Sequence, residues 1–390
     1  MKITNVEAIT LVVPMERPIK APISIPHADE LAGVVFKEYR TTLVRITTDE
    51  DLVGVGESMV RLAPTATRDI VEYLKPILIG KDPFDIERIW DLLYGAMMNR
   101  GHYKGFFIEA VSGIDVALWD IMGKALNMPV YKLLGGKTKE KIWTYASSLR
   151  FRGLDVLKAD AQRYLDMGYN AMKIKIGQNP MDYRKDIEVV SQLRKVVGDD
   201  VVLMVDANCA YGEDVKTALE VGKAMEDLGI FWFEEPLSPD NVEGYAYLRK
   251  QMNIRLAAGE AEFTRFGFRP FFVRGALDIV QPNLCRTGGF TEAKKIAAMA
   301  SAFHVAYAPH TGSSSAIAMA AAMHLAVALP NFLIYEHMES DWSKDQKNPL
   351  RWDLTELPIK SFKDSYIELD DKPGLGIELN EEIVNKYRVG

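Results

Sequence analysis

Two cysteines in 390 residues, Cys209 and Cys285, are too few for a disulfide framework and lack the paired spacing of a zinc site. Blocks of basic residues are also missing. With a formal net charge of -7 and no Arg-rich face, the chain does not read as a nucleic-acid binder or a membrane-surface protein. Long hydrophobic runs are scarce too. The stretch from Ala316 to Leu329 is rich in Ala and Met but is shorter than a membrane span and contains His324, so a buried helix is expected there. Met1 to Glu7 offers no apolar segment with a small-residue cleavage site, so no signal peptide is expected and the expected compartment is the cytoplasm. What remains is 48% hydrophobic and 26% charged, ordinary for a globular protein, and longer than one average domain.

The first third of the sequence alternates like antiparallel strands, with Thr42–Ile46, a turn at Asp49-Glu50-Asp51, and a return at Val53–Glu57. Helices are predicted from Thr65 to about Leu74, where Pro76 should stop the first, and from Ile108 to Ala125. In the second, Ala110, Ile114, Ala117, Leu118 and Ile121 share a face. The pair Gly54-Val55-Gly56 does not open a helix and has no cofactor role. Leu133-Leu134-Gly135-Gly136-Lys137 marks a boundary. Beyond it the rhythm changes to eight short apolar strands separated by helices, at intervals that suit βα units. The strands are Ile142–Ser148, Ala171–Gly177, Val201–Asn208, Phe231–Pro236, Arg255–Glu260, Ala276–Asn283, Val305–Thr311 and Phe332–Met338. Helices fall at Asp186–Val197, Val215–Leu228 and Thr291–Phe303, and the whole reads as a β/α barrel.

Polar residues interrupt these strands at one end. A barrel strand is covered on both faces, so an ionisable group within it needs a reason. In Ala171–Gly177, Lys173 and Lys175 share one face and Met172, Ile174 and Ile176 the other. The apolar face suits the helices, which sends both lysines into the barrel. Asp206 and Asn208, Glu234 and Glu235, Glu260, Asn283, His310, and Glu336 with His337 then end the later strands, where barrel enzymes keep their active sites. Individually each has a plainer reading: Asp206 and Asn208 as helix caps, Glu234 and Glu235 as a solvated strand end. His102, His304 and His324 read as structural. His27, in a loop from Met15 to Val34, could reach a substrate.

Asp206, Glu234 and Glu260 come from three neighbouring strands. Carboxylates so placed repel unless they share a proton or a cation compensates, and an oxygen-only set selects a hard ion such as Mg²⁺. Such an ion could hold a substrate carboxylate and stabilise the charge of an enolate. Lys175 and His310 flank this arc. Crowding of Lys173 against Lys175 could leave one amine neutral enough to serve as a base, while His310 could be base or acid. Glu336 could donate a hydrogen bond to the second oxygen of the substrate carboxylate.

These residues resemble the mandelate racemase subgroup of the enolase superfamily. The resemblance runs from the strand pair near the start to Lys372-Pro373-Gly374-Leu375-Gly376, and is carried by Lys173-Ile174-Lys175, Asp206-Ala207-Asn208, Glu234-Glu235-Pro236, Gly259-Glu260 and Pro309-His310-Thr311. It implies a (β/α)7β TIM-type barrel at residues 137–345, an α+β capping domain at 1–136, and a C-terminal segment, 346–390, that returns to the cap. It implies Mg²⁺ on Asp206, Glu234 and Glu260. Lys175 would be the base on one face, Lys173 its electrostatic neighbour, His310 the acid or base opposite, and Glu336 the carboxylate of the eighth strand. Asn208, Lys173 and His27 would touch substrate, while the Met15–Val34 loop and Ser58–Thr67 would close over it. A homo-oligomer, dimer or octamer, is expected.

One position departs from the pattern. An Asp usually partners the His from the sixth strand, and Asn283 stands there. It could accept the ring N–H of His310 but brings no charge to stabilise an imidazolium. The resemblance favours a sugar-acid dehydratase acting on an aldonate or aldarate, helped by the segment Gly259 to Arg265 and on to Arg269, which is similar to that of such dehydratases. A racemase or epimerase, or a non-catalytic sugar-acid binder, are the alternatives.

Overall fold

The computed structural model describes residues 1–20, 35–60, 63–177, 182–338 and 347–390. Strands β1 (Ile3–Lys20), β2 (Val35–Thr48) and β3 (Val53–Ser58) form an antiparallel meander. The β1–β2 pairing continues to Lys20 and Val35, so the backbone of 15–20 is strand where the sequence suggested a loop. Both faces of β1 are covered over its middle, Ala8 to Val13. Val6 and Ala8 join the core beneath the helices, and Ile9, Leu11 and Val13 join the core on the barrel side. Only the stretch from Ala8 to Val13 is nearly all apolar, where both faces are packed.

Three helices cover that sheet: α1 (Pro64–Leu78), α2 (Ile86–Met98) and α3 (Phe106–Ala125). Pro76 does not end α1. It lies in the last turn and forfeits one helical N–H···O bond there, and burial of Val71, Leu74 and Leu78 carries the helix past it. The glycines of β3 have a packing reason. A Cβ on Gly56 would lie 2.0 Å from the carbonyl oxygen of Gly113, and one on Gly54 2.1 Å from that of Ala117, so only glycine lets β3 lie against α3.

After the short helix α4 (Val130–Leu133) comes the barrel. Its strands are β4 (Ile142–Arg150), β5 (Ala171–Lys175), β6 (Val202–Asp206), β7 (Trp232–Glu234), β8 (Arg255–Ala258), β9 (Ile279–Val280), β10 (Ala306–Tyr307) and β11 (Tyr335–His337). They pair in parallel in sequence order, and β11 returns to β4. On the other side the Tyr307 N–H donates to Asn331 O and the Leu333 N–H to Tyr307 O, which closes the ring. Helices α5 (Leu154–Asp166), α6 (Tyr183–Val197), α7 (Val215–Asp227), α8 (Val242–Gln251), α9 (Thr264–Val273), α11 (Gly289–Ala302) and α12 (Ala316–Ala328) connect them, with the single turn α10 (Leu284–Thr287) before α11. All of α12 is buried, as its uniform Ala and Met content predicts, and no described helix is long and apolar enough to cross a membrane.

The chain then forms α13 (Pro349–Trp352), a hairpin β12 (Ile359–Lys363) and β13 (Tyr366–Leu369), α14 (Glu381–Tyr387) and β14 (Arg388–Val389). β13 pairs with β4, and β14 pairs with β1 at Thr10 and Leu11. Two buried carboxylates tie the halves together. Asp120 on α3 accepts the N–H groups of Val55 and Leu375 and the Lys124 ammonium. Glu57, at the end of β3, accepts from Thr41 Oγ1 and from the backbone of Ser315 and Ala318, the free amides that open α12.

Candidate functional site

Strand alternation builds the site. Six of the barrel strands, and the residues next to β10 and β11, send one side chain each into a common inner layer: Tyr145, Ala171, Met204, Trp232, Ala257, Ile279, Ala308 and Ile334. Tyr145 and Trp232 meet edge to face there at 5.3 Å and form the floor. Two residues further along, side chains point the same way. That step gives Ser147, Lys173, Asp206, Glu234, Gln281, His310 and Glu336, all buried. Lys175 lies one step higher, and Met172, Ile174 and Ile176 pack outward against the helices. The lysine face is the one the sequence indicates. Left-handed backbone at Asn208 (φ 44°), Cys209 (φ 63°) and Glu235 (φ 40°) turns the chain sharply after Asp206 and Glu234.

One oxygen each from Asp206, Glu234 and Glu260 lies within 4.8 Å of the others, and all three residues are buried. The Lys173 ammonium sits among the carboxylates, 2.7 and 2.8 Å from the two oxygens of Glu234, 3.4 Å from Asp206 and 3.2 Å from Glu336. Burial would lower its pKa, but Glu234 and Glu336 outweigh burial and hold it well above the usual lysine range. Lys173 is therefore held as a cation. Lys175 donates to Asp206 Oδ2 and is partly open to solvent. Burial opposes the Asp206 charge, and Lys175 and Lys173 overcome it, so that its pKa lies below the usual range.

Glu234 also accepts from Trp232 Nε1 at 3.1 Å and Gln281 Nε2 at 2.8 Å, but burial and Asp206 push its pKa well up. Burial and Glu260 likewise raise Glu235 to about 8. Five buried carboxylates, counting Glu336, thus face two ammonium groups. That excess of negative charge on oxygen donors alone fits a hard divalent cation.

Glu336 differs from the expectation that it donates. It accepts from Ser147 Oγ at 2.7 Å, Thr311 N–H at 2.6 Å and Gly312 N–H at 3.0 Å. Burial opposes its charge, but Lys173, His310, the Thr311 N–H and Ser147 win and hold the carboxyl well below its usual range. His310 Nε2 stands 3.2 Å from Glu260 Oε2 and 4.0 Å from Glu336 Oε2. Asn283 also differs from the expected arrangement. Its carbonyl oxygen caps α10 by accepting the Cys285 N–H at 3.0 Å, so its amide nitrogen, not its oxygen, faces His310 Nδ1 at 3.1 Å.

Among the other residues singled out, Asn208 gives its backbone N–H to Asp206 Oδ1 at 2.9 Å. His27 lies outside the described residues, as does much of the loop around it. Arg265 pairs with Glu292 and lies over Trp90 and Phe266, so that arginine serves the contact between α9 and α11. His324 is structural, with Nδ1 accepting from Tyr131 N–H and Nε2 donating to Leu375 O.

Sequence reasoning passed over Ser147, Gln281 and Arg150. Gln281 could have been found by counting two residues on from Ile279. Arg150 could not. The β4–β5 register slips between Ser147 and Leu149, so Leu149 pairs with Ile174 on the outer face and Arg150 with Lys175 on the inner one. Burial, with Arg152 nearby, lowers the Arg150 pKa to about 10.

Comparison with known proteins agrees with this geometry. Residues 9–135 match the family described as mandelate racemase / muconate lactonizing enzyme, N-terminal domain, and residues 156–383 match the enolase C-terminal domain-like family. The chain is 34% identical over 365 residues to a D-galactarolactone cycloisomerase of Agrobacterium fabrum, covering 92% of this chain and 94% of that one. It is 35% identical over 362 residues to an arabinonate dehydratase of Saccharolobus solfataricus, covering 92% and 93%. A racemase of Streptomyces coelicolor A3(2), solved with bound magnesium, superposes with a TM-score of 0.86 at 25% identity over 99% of this chain and 100% of that one.

Proposed function

The chain belongs to the mandelate racemase and muconate lactonizing enzyme family of the enolase superfamily and is an enzyme of the lyase type, and from that premise we propose that it removes water from a sugar acid in a Mg²⁺-dependent reaction to give a 2-keto-3-deoxy acid. The observation that carries this reading is the meeting of Asp206, Glu234 and Glu260 beside Lys175, with His310 across from it. Asp206, Glu234 and Glu260 would hold the ion. When bound, it supplies Lewis-acid stabilisation of the charge that develops on the substrate carboxylate.

The chain's own residues supply the rest. Lys175 takes the proton from the carbon next to the carboxylate. Lys173 stays protonated and fixes Glu234, Asp206 and Glu336 in place. Glu336 holds the backbone that follows His310. Arg150, level with Lys175 on the adjacent strand, adds a second cation at the mouth for an anionic or hydroxyl-rich substrate. The reading takes residues 1–136 as a cap, 137–345 as the catalytic barrel and 346–390 as the returning segment, with assembly into a homo-oligomer.

The test is a screen of aldonic and aldaric acids and their lactones with a 2-keto-acid trapping reagent, run with Mg²⁺ and again after chelation. Turnover that is lost on chelation and restored by Mg²⁺ is expected. Failure to turn over any member of the panel, or turnover indifferent to chelation, would sink it.

A further inference from the structure

Of the three carboxylates, two are placed by the barrel itself. Asp206 and Glu234 are the last residues of β6 and β7 and stand level with each other in the ladder, with Lys175 level with Asp206 on β5. Lys173 and Lys175 then hold both from within the barrel. Glu260 is different. It lies two residues past Ala258, where β8 ends, and so falls outside the ladder. It follows Gly259 (φ 126°), a residue without a side chain to hold the turn from inside. A ligand so placed needs its support from elsewhere.

That support comes from the N-terminal domain. The Glu260 carbonyl oxygen accepts from Arg286 Nη1 at 3.0 Å, and Arg286 Nε donates to Glu109 Oε1 at 2.9 Å. Glu109 is buried in the first turn of α3. A guanidinium is planar, so neither donor can turn without the other, and the position of Glu109 is passed on to the main chain of Glu260. Two further contacts reach the same short segment. Phe263 is buried in the N-terminal core with Phe107, Ile108 and Val111, and the Arg286 guanidinium lies 5.2 Å from the centre of its ring. Lys104, just ahead of α3, pairs with Glu262 at 2.8 Å. The segment from Glu260 to Phe263 leaves a barrel strand, yet it is seated on the N-terminal domain.

We infer that the N-terminal domain sets the place of Glu260 in the ion site, with Arg286 as the positioning residue and Glu109 as its anchor. The site then has two sources. The barrel places Asp206 and Glu234, while the third carboxylate reaches its position only when α3 is docked. Affinity for a divalent cation therefore reports on that docking, and by linkage a bound cation strengthens it. Neighbouring contacts serve docking in general. Ser112 Oγ accepts the Gly288 N–H at 2.8 Å and Asp115 accepts the Thr291 N–H at 3.1 Å, so both end on the backbone between α10 and α11, beyond Arg286.

The inference rests on the reading of Asp206, Glu234 and Glu260 as the Mg²⁺ ligands, and the test separates the two. Full-length protein is stripped with a chelator, dialysed and titrated with Mg²⁺ by calorimetry. The wild type should bind Mg²⁺. Arg286→Met should weaken that binding about tenfold or more, the cost of losing a group that orients a ligand. Ser112→Ala, which removes a docking contact off this path, should keep the affinity within about twofold even where its thermal midpoint falls. No uptake by the wild type sinks the ligand reading, and this inference with it. Uptake that Arg286→Met leaves unchanged overturns this inference alone. So does an equal weakening by Ser112→Ala, since a general loosening would then suffice.

If Arg286→Met does not fold, Arg286→Lys takes its place. An ammonium can reach Glu109 or the Glu260 carbonyl but has no planar fork to lock one to the other, so a loss of Mg²⁺ affinity is again expected, and an unchanged affinity overturns the inference. The wild type supplies a measurement that needs no variant. Hydrogen exchange read by mass spectrometry should be slower in Mg²⁺-saturated than in chelated protein for peptides covering residues 101–109. Slowing confined to the barrel would overturn the coupling.

Discussion

At the level of single side chains, the two lysines of β5 illustrate how neighbours assign roles. Lys173 is enclosed by Glu234, Glu336 and Asp206, and Lys175 touches Asp206 at the mouth. Lys173→Met strands buried carboxylates without their cation, so a loss of about 3–5 kcal/mol in the urea unfolding free energy is expected. Lys175→Ala should lower turnover by about 10²–10⁴, read together with loss of α-proton exchange in heavy water. Arg150→Met should raise KM for an acid sugar by roughly tenfold or more with a smaller change in kcat, as removal of a charge-assisted contact would. An unchanged KM would place Arg150 outside the substrate's reach. Lys173, Lys175, Asp206, Glu234 and His310 were legible because each obeys a period of two from an apolar inner residue. Arg150 was not, because a bulge in β4 reverses that count. The orientation of Asn283 was hidden as well, since it depends on a backbone amide two residues on.

At the level of elements, the contact of α3 with α11 contains a buried acid. Asp115 accepts the Thr291 N–H at 3.1 Å, and burial raises its pKa to about 7. A folded pKa above the ordinary 3.8 means that the contribution is complete below 3.8 and is lost progressively as pH rises from there to about 7. Asp115→Asn keeps an acceptor for Thr291 and removes the buried charge. Thermal melts should therefore show a gain for the variant that is largest at pH 8 and smaller at pH 5; an equal effect at both would contradict the assignment. The strands and most helices were legible in the sequence to within a few residues, because barrel strands are short apolar runs and helices such as α7 carry a cap, Asp214. The long β1 was not read as a strand, since its middle, Ala8 to Val13, is packed on both faces and alternation is lost there. The end of α1 was misplaced because burial outweighed Pro76.

Across the whole molecule, pH acts in two opposing directions. His324 and His337 are buried, and burial lowers both pKa values from 6.5 to about 4. The unfolded chain binds these protons first, so the stability they contribute is complete above about 6.5 and lost as pH falls through about 4. Asp115, and Asp186 with its pKa raised to about 6 by burial, gain over much of the same interval. The wild-type urea midpoint should therefore fall only gently between pH 6.5 and 4, while Asp115→Asn should fall more steeply. Parallel curves for the two proteins would rule out this compensation. The barrel and its carboxylate arc were legible at this scale. The joining of the halves through Glu57 and Asp120 was not, because single acids distant in sequence carry no local signature.

Glu57 and Glu336 have a joint consequence. One, from the first sheet, grips the amides at Ser315 and Ala318; the other, from the last barrel strand, grips those at Thr311 and Gly312. The turn that follows His310 is thus clamped at both ends by charges lying beneath the surface. A substitution at the rim of the barrel can therefore alter what binds without shifting the backbone that carries His310.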